Sequence, residues 1–446
     1  LWVTSCARYH PQPLAPEQSA QAFEERRLDA PAVRAFLERN LTNASASWPP
    51  ATWTFEPLTL AALYLHPSLE VARADWAVAR GGEVTASGRP NPTLSAAPEY
   101  NFNPAHGVSP WIASVQFDVP IETAGKRRWR MEHAAQLSIA SQRKISVAAW
   151  TVRRNVRSAL LALSAARERE RVLAAQLQIR ARAAASVEAK FAAGAFSSTD
   201  VEAERALGAE LQRDRALARA QAAEAHARLA SAVGVTLAGL PPTEQIDATL
   251  PHDSTLTSAT ARRRALTARA DFLATLADYA AAEKALKLEI AKQYPDLHLN
   301  PGYQWDQGEN KWALGVSIDL PVLNQNQGPI AEAKARRAAA AARVHELQAT
   351  IIGELERALT SFRYAQATVE AARASMAAHE KRLQSARAAL ESGAIEVSDV
   401  LLAETQRVGS ELQLVEAQAQ LRQAVADIED AVQFPLPEIE NEPNPK

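Results

Sequence analysis

Apolar and polar positions alternate in several short stretches of this chain and recur every three or four residues over much of the remainder. In 111–120 the odd positions are Trp111, Ala113, Val115, Phe117 and Val119, with Ser114, Gln116 and Asp118 between them. Trp312, Leu314, Val316, Ile318 and Leu320 share one parity, opposite Ser317 and Asp319. Leu297, Leu299, Tyr303 and Trp305 alternate with His298, Asn300, Gln304 and Asp306. Period two predicts strands with every apolar side chain on one face. Two environments fit: a membrane barrel with lipid outside and water inside, or a hairpin laid on a soluble core.

The helical pattern is longer. From about Lys126 to Lys190 no Pro or Gly interrupts the chain. Val152, Val156, Leu160 and Leu163, then Leu173, Leu177, Ala181, Ala184, Val187 and Phe191, predict one apolar stripe along it. At 1.5 Å per residue such a helix extends about 100 Å, a length that suits coiled-coil packing rather than a compact domain. Gly194 and Gly393 are placed to end long helices as left-handed caps. Ser198 or Thr199, and Ser398, are placed to cap the helices that return.

These patterns occur twice. Pro92, Leu94, Pro98 and Tyr100 recur as Pro295, Leu297, Pro301 and Tyr303, an offset of 203. Val115 to Pro120 recurs as Val316 to Pro321, an offset of 201, and Gly194 to Val201 as Gly393 to Val400, an offset of 199. One unit of about 200 residues has been duplicated. Each copy reads helix, strand, strand, long helix, turn, helix. The expected organisation is a residual signal peptide over 1–5, a partly extended segment over 6–57, a first repeat over 58–236, a linker over 237–254, a second repeat over 255–434 and a loose Pro- and Glu-rich tail over 435–446.

Composition narrows the function. Forty-nine Lys and Arg against 51 Asp and Glu leave no basic excess for nucleic acid. No run of 18 apolar residues exists for a spanning helix, so any membrane crossing must use a closed β-barrel. The nine His are scattered without a His-x-x-His or Cys/His cluster, and no metal site or cofactor follows. Neither a Gly-rich phosphate loop nor a nucleophile elbow is present, so no enzyme is expected. The single cysteine, Cys6, ends the run Leu1-Trp2-Val3-Thr4-Ser5-Cys6. That run resembles a bacterial lipobox, which implies a lipid on Cys6 as the mature N-terminus; a free or buried thiol is the alternative. The following Ala7 is not the Asp of an inner-membrane retention signal, which implies sorting to the outer membrane.

A duplicated unit with one strand pair and a very long helical hairpin resembles the TolC family of outer-membrane factors, over roughly 57–434. His66-Pro67-Ser68-Leu69-Glu70-Val71-Ala72 is similar to the family's Asn-Pro-x-Leu-x-x-Ala opening, with His in place of Asn. Phe117-Asp118-Val119-Pro120-Ile121 and Ile318-Asp319-Leu320-Pro321-Val322 resemble its strand-to-helix exits. Leu390-Glu391-Ser392-Gly393 through Ser398-Asp399-Val400-Leu401 resembles its periplasmic tip. Glu122-Thr123-Ala124-Gly125-Lys126-Arg127-Arg128 resembles the exit of members that serve heavy-metal pumps.

The resemblance implies a mainly α fold with a small β part. Three chains would close a twelve-stranded outer-membrane barrel continued by a periplasmic α-helical barrel. It implies a passive export duct that partners a periplasmic adaptor and an inner-membrane RND pump. Drug export or type I protein secretion is the alternative within the family, and a periplasmic coiled-coil adaptor or scaffold the alternative from another class. Asp399 and Asp200 fall where the family has its periplasmic gate. Each also reads as a first-turn residue that stabilises a helix N-terminus. The second acidic position of the inner tip is Leu402 here, which leaves Glu396 or Glu404 to contribute. Gly194, Phe196, Gly393 and Ile395 are the expected adaptor contacts, and Asp118 and Asp319 the residues facing the barrel lumen.

Overall fold

The computed structural model describes residues 8–41, 47–247 and 258–434. Cys6, the 1–5 stretch and the 435–446 tail lie outside the described residues. The chain divides into two compact units, one of residues 1–69, 148–265 and 353–446, the other of 70–147 and 266–352.

In the first unit, α1 (Pro16–Glu24) and α2 (Pro31–Asn40) precede α3 (Phe55–Leu65). The scattered Pro and Trp of 6–57 predict a partly extended segment. Instead Pro16 and Pro31 each start a short helix, at the position where a missing N–H costs nothing. Leu28, Val33, Leu37 and Trp53 are buried against Leu58 of α3 and against the long helices. Within α4 (Pro67–Ser87), the first three residues belong to this unit and the rest to the second.

The long helices are α5 (Lys126–Ala192), α6 (Ser198–Val233), α9 (Gln327–Glu391) and α10 (Val397–Val432). Val152, Val156, Leu160 and Leu163 of α5 form one core with Leu229 and Val233 of α6. Two short 3₁₀ turns, Leu237–Gly239 and Thr243–Gln245, follow α6 and join that core through Val235, Leu240 and Ile246. Gly239 is required there, because a Cβ would strike the Arg26 carbonyl.

Towards its C-terminus the stripe read from the α5 sequence gives way. Ala181 and Phe191 are exposed, and Val172 and Ile179 are buried instead against Leu401, Val408 and Val415 of α10. Steps of four residues drift around a helix of 3.6 residues per turn, so one long stripe cannot stay on one contact.

The second unit carries the sheet. Strands β1 (Thr93–Tyr100), β2 (Trp111–Ile121), β3 (Leu297–Asp306) and β4 (Glu309–Ile318) are antiparallel in the order β1-β2-β3-β4. Helices α7 (Ser258–Thr267) and α8 (Ala270–Ala291) precede β3. The duplication is visible in the elements: α4, β1, β2, α5, α6 and then α8, β3, β4, α9, α10.

Candidate functional site

Two places stand out, the sheet and the pair of hairpin tips. Register puts the alternating apolar residues of the sheet side by side. Leu94 lies opposite Phe117, Tyr100 opposite Trp111, Val115 opposite Tyr303 and Tyr303 opposite Trp312. The rings of Tyr100 and Trp111 are 5.1 Å apart, and those of Tyr303 and Trp312 are 4.9 Å apart. This face is uncovered: Trp312, Leu314 and Val316 are 82%, 74% and 62% exposed. A contiguous apolar patch of this kind marks a surface that meets lipid or protein.

The other face is polar. The Asp118 carboxylate meets His298 Nδ1 at 2.9 Å, and Asn300 donates to the Ser317 hydroxyl at 2.9 Å. Asp118 therefore lies on the polar face of the sheet, with an imidazole partner. Asp319 follows the last residue of β4 and is exposed.

Between β2 and α5, the stretch resembling a heavy-metal exit is a tight turn. Ala124 and Gly125 have φ of 51° and 70°. Glu122 accepts two hydrogen bonds from Arg130, at 2.5 and 3.1 Å, and Asp296 accepts from Lys126 Nζ and the Thr123 N–H, both at 2.8 Å. These charges fix the strand-to-helix corner and join the two repeats.

The tips belong to the first unit and share one geometry. Gly194 and Gly393 have φ of 77° and 74°, which only glycine adopts at no cost. In the first tip Ala195 N–H donates to the Lys190 carbonyl at 2.8 Å and Gly194 N–H to Phe191 at 2.9 Å. In the second, Ala394 N–H donates to Ala389 at 2.8 Å and Gly393 N–H to Leu390 at 2.9 Å. Both are Schellman closures.

The returning helices start differently from the sequence expectation. The cap of α6 is Ser197, not Ser198 or Thr199, and that of α10 is Glu396, not Ser398. Asp200 accepts from the Ser197 N–H at 2.8 Å and hydroxyl at 2.7 Å, and these bonds hold its carboxyl below the usual range. Asp399 accepts from the Glu396 N–H at 3.1 Å. Each expected gate carboxylate thus has a local task, satisfying an N–H that precedes its helix.

Ile395, expected as an adaptor contact, is partly buried within its own unit. It packs on Leu383, Val400 and Ala403, while Phe196 is 38% exposed with Lys190 Nζ 5.3 Å from its ring. Glu396 and Glu404, offered as a second acidic position, are both paired. Glu396 forms an ion pair with Lys190, tying the second tip to the end of α5. Glu404 is bound by Arg182 and by Arg387, the latter at 3.0 Å, so it links α10 to α5 and to α9. These cross-links were not legible in the sequence: Lys190 and Glu396 stand 206 positions apart, Arg182 and Glu404 222, and Arg387 and Glu404, only 17 apart, lie on two different helices. Among the described residues no group of three or more metal-ligating side chains converges, and no helix is long and apolar enough to cross a membrane.

Comparison with known proteins agrees with this geometry. Residues 59–235 and 261–432 match the family model for outer membrane efflux protein. The cobalt-zinc-cadmium resistance protein CzcC of Cupriavidus metallidurans is 25% identical over 283 residues, 61% of this chain and 65% of CzcC; the match thus spans less than two thirds of that relative. The fold is that of the outer membrane protein VceC of Vibrio cholerae, with a TM-score of 0.70 at 21% identity over 86% of this chain and 97% of that one. It is also that of the CusC channel, with a TM-score of 0.67 at 18% identity over 88% and 95%. With the family matched across both repeats, the chain belongs to the outer membrane efflux proteins.

Proposed function

We propose that three copies of this chain form the outer-membrane duct of a tripartite efflux system, a passive channel without catalytic residues. The sheet carries this reading. It has an uncovered apolar face, a polar opposite face and, among the described residues, two unpaired edges, β1 and β4. Lipid offers no hydrogen bonds to such edges, so the sheet must close with further copies before it spans a bilayer. Polar residues such as Asp118 and Asn300 then line water, and the Trp and Tyr residues sit at the membrane boundary. Light scattering in detergent is expected to give a three-chain mass; a stable single chain in detergent-free buffer would sink the assembly.

In this duct the tips meet a periplasmic adaptor through Gly194, Phe196, Gly393 and Ile395, and an RND pump supplies the energy. Asp399, and less strongly Asp200, form the acidic constriction that favours cations. Divalent metal ions are the proposed cargo, a reading supported by the likeness to a cobalt-zinc-cadmium resistance protein. Planar-bilayer recordings test the gate. Asp399→Ala is expected to lower cation preference more than Asp319→Ala, because charges around a wide lumen are screened within about 8 Å. An unchanged preference in Asp399→Ala, with a change in Asp319→Ala, reverses the assignment. A lipid on Cys6 anchors the chain; mass spectrometry of membrane-derived protein finding an unmodified thiol behind Leu1–Ser5 would remove the anchor.

A further inference from the structure

The four strands carry a single histidine, His298. It sits on β3, opposite Pro120 of β2 and Ser317 of β4. Its Nδ1 lies 2.9 and 3.2 Å from the two carboxylate oxygens of Asp118. An ionised carboxylate only accepts hydrogen bonds, so Nδ1 donates its proton to Asp118 and the neutral ring keeps its lone pair on Nε2. Among the described residues Nε2 has no hydrogen-bond partner, and the side chain keeps 30% of its surface exposed. A carboxylate on one ring nitrogen fixes the tautomer, orients the ring and raises the basicity of the other nitrogen, which is how metal-ligating imidazoles are held.

The fold does not require an imidazole at this position. By the repeat offset of 203, His298 corresponds to Ser95, whose hydroxyl donates to the Gln116 carbonyl at 3.3 Å. The surroundings favour a cation. Within the four strands, Glu99, Asp118, Asp306 and Glu309 face one lysine, Lys311, which already donates to Asp306 at 2.5 Å. Ser317, across from His298, and Asn300, two residues along, add polar groups that can hydrogen-bond to metal-bound water.

We propose that Nε2 of His298, oriented by Asp118, is a transient ligand for divalent transition-metal ions on the polar face of the sheet. This rests on the duct and cargo readings above and names one residue in the ion's path, with Asp118 as its positioning residue. Imidazole nitrogen suits Zn²⁺, Cu²⁺ and Ni²⁺, whereas the hard Mg²⁺ prefers oxygen. One protein nitrogen with water in the remaining positions binds weakly. A duct needs that weakness, because a passing ion must leave as readily as it enters. A closed set of four protein ligands would instead hold the ion as a structural site does.

Carbethoxylation by diethyl pyrocarbonate, read residue by residue by mass spectrometry, tests the ligand on the full-length protein in detergent. The reagent attacks a free imidazole nitrogen, so a metal on Nε2 shields His298. Millimolar Zn²⁺ is expected to slow modification of His298 by about fivefold or more, and Mg²⁺ at the same concentration to leave it unchanged. His106, exposed in the β1–β2 loop, is the internal control and is expected to stay reactive. Asp118→Asn keeps the ring and removes the carboxylate charge, and should raise the Zn²⁺ concentration for half-protection about tenfold or more. A pair that merely braces β2 against β3 would leave that concentration unchanged. An unprotected His298, protection by Mg²⁺, equal protection of His106 or an unchanged half-point in Asp118→Asn each overturns the proposal. The cargo reading is judged separately, by Zn²⁺ passage through the channel in planar bilayers. Zn²⁺ current with an unprotected His298 removes the ligand and keeps the cargo; a protected His298 without Zn²⁺ current keeps the ligand and removes the cargo.

Discussion

Helices α6 and α10 are copies of one another, each of 36 residues, yet they live in different surroundings. Between Val201 and Ala218, α6 buries no residue, and its links to α5 are ion pairs: Arg180 with Glu204 at 3.1 Å and Arg215 with Glu170 at 2.8 Å. Small residues, among them Ala181, Ala184, Gly208 and Ala209, line an open groove between them. The matching part of α10 buries Leu401, Ala403, Val408 and Val415 against α5 and α9. Duplication thus preserved turn geometry and helix length while the contact faces diverged. Over this stretch α10 is packed by apolar contacts and α6 is held by charge; past Ala218, α6 joins the core through Leu229 and Val233.

Substitution at matched positions gives the widest contrast. Leu401 is buried and its repeat counterpart Glu202 is exposed. Leu401→Ala is expected to cost about 2–4 kcal/mol, the range for emptying a buried leucine site. Glu202→Ala should leave thermal unfolding, followed by circular dichroism in detergent, within error. Equal losses at both positions would mean that α6 is as tightly packed as α10.

The next effect in size concerns the glycines, and here the two tips should behave alike. Both φ values are positive, and a Cβ at either position would meet open space. Conformational strain alone then sets the cost, about 1–2 kcal/mol for Gly194→Ala and for Gly393→Ala. A cost confined to one tip would show that the turns are not equivalent.

The ion pairs come last. Glu404 joins three helices, but Arg182 and Arg387 are each more than half exposed, so solvent screens much of the interaction. Glu404→Gln is expected to lose about 1 kcal/mol, and less in high salt. Asp200 gives the matching acid-side effect. Its folded pKa is depressed by the Ser197 hydroxyl and N–H, so its contribution is present above its unfolded pKa and disappears as pH falls through the folded one. Melting curves of Asp200→Asn and the parent chain should therefore converge at low pH; a constant gap down to pH about 2 would contradict the assignment.

Much of this protein was legible in its sequence. Period-two alternation located the strands and their apolar face, because a pleated chain sends successive side chains to opposite sides. Uninterrupted 3.6-residue patterning located the long helices, and the glycines their ends, because only glycine enters the left-handed region freely. The repeat offsets carry the register of one hairpin onto the other, so that Leu94 with Phe117 becomes Leu297 with Ile318. These are local properties, or properties of one copy compared with another.

Partners distant in sequence were decided by the tertiary structure alone. Nothing local marks Glu404 as the receiver of Arg182, 222 residues away, or Asp296 as the anchor of Lys126 and Thr123. The same holds for the N-terminal segment, whose scattered Pro and Trp read as extended until Leu28, Val33, Leu37 and Trp53 found a core to cover. An isolated short helix is marginal in water, and packing supplies most of its stability. The sequence can therefore name the residues able to form such a helix, but only the surface it meets decides that it forms.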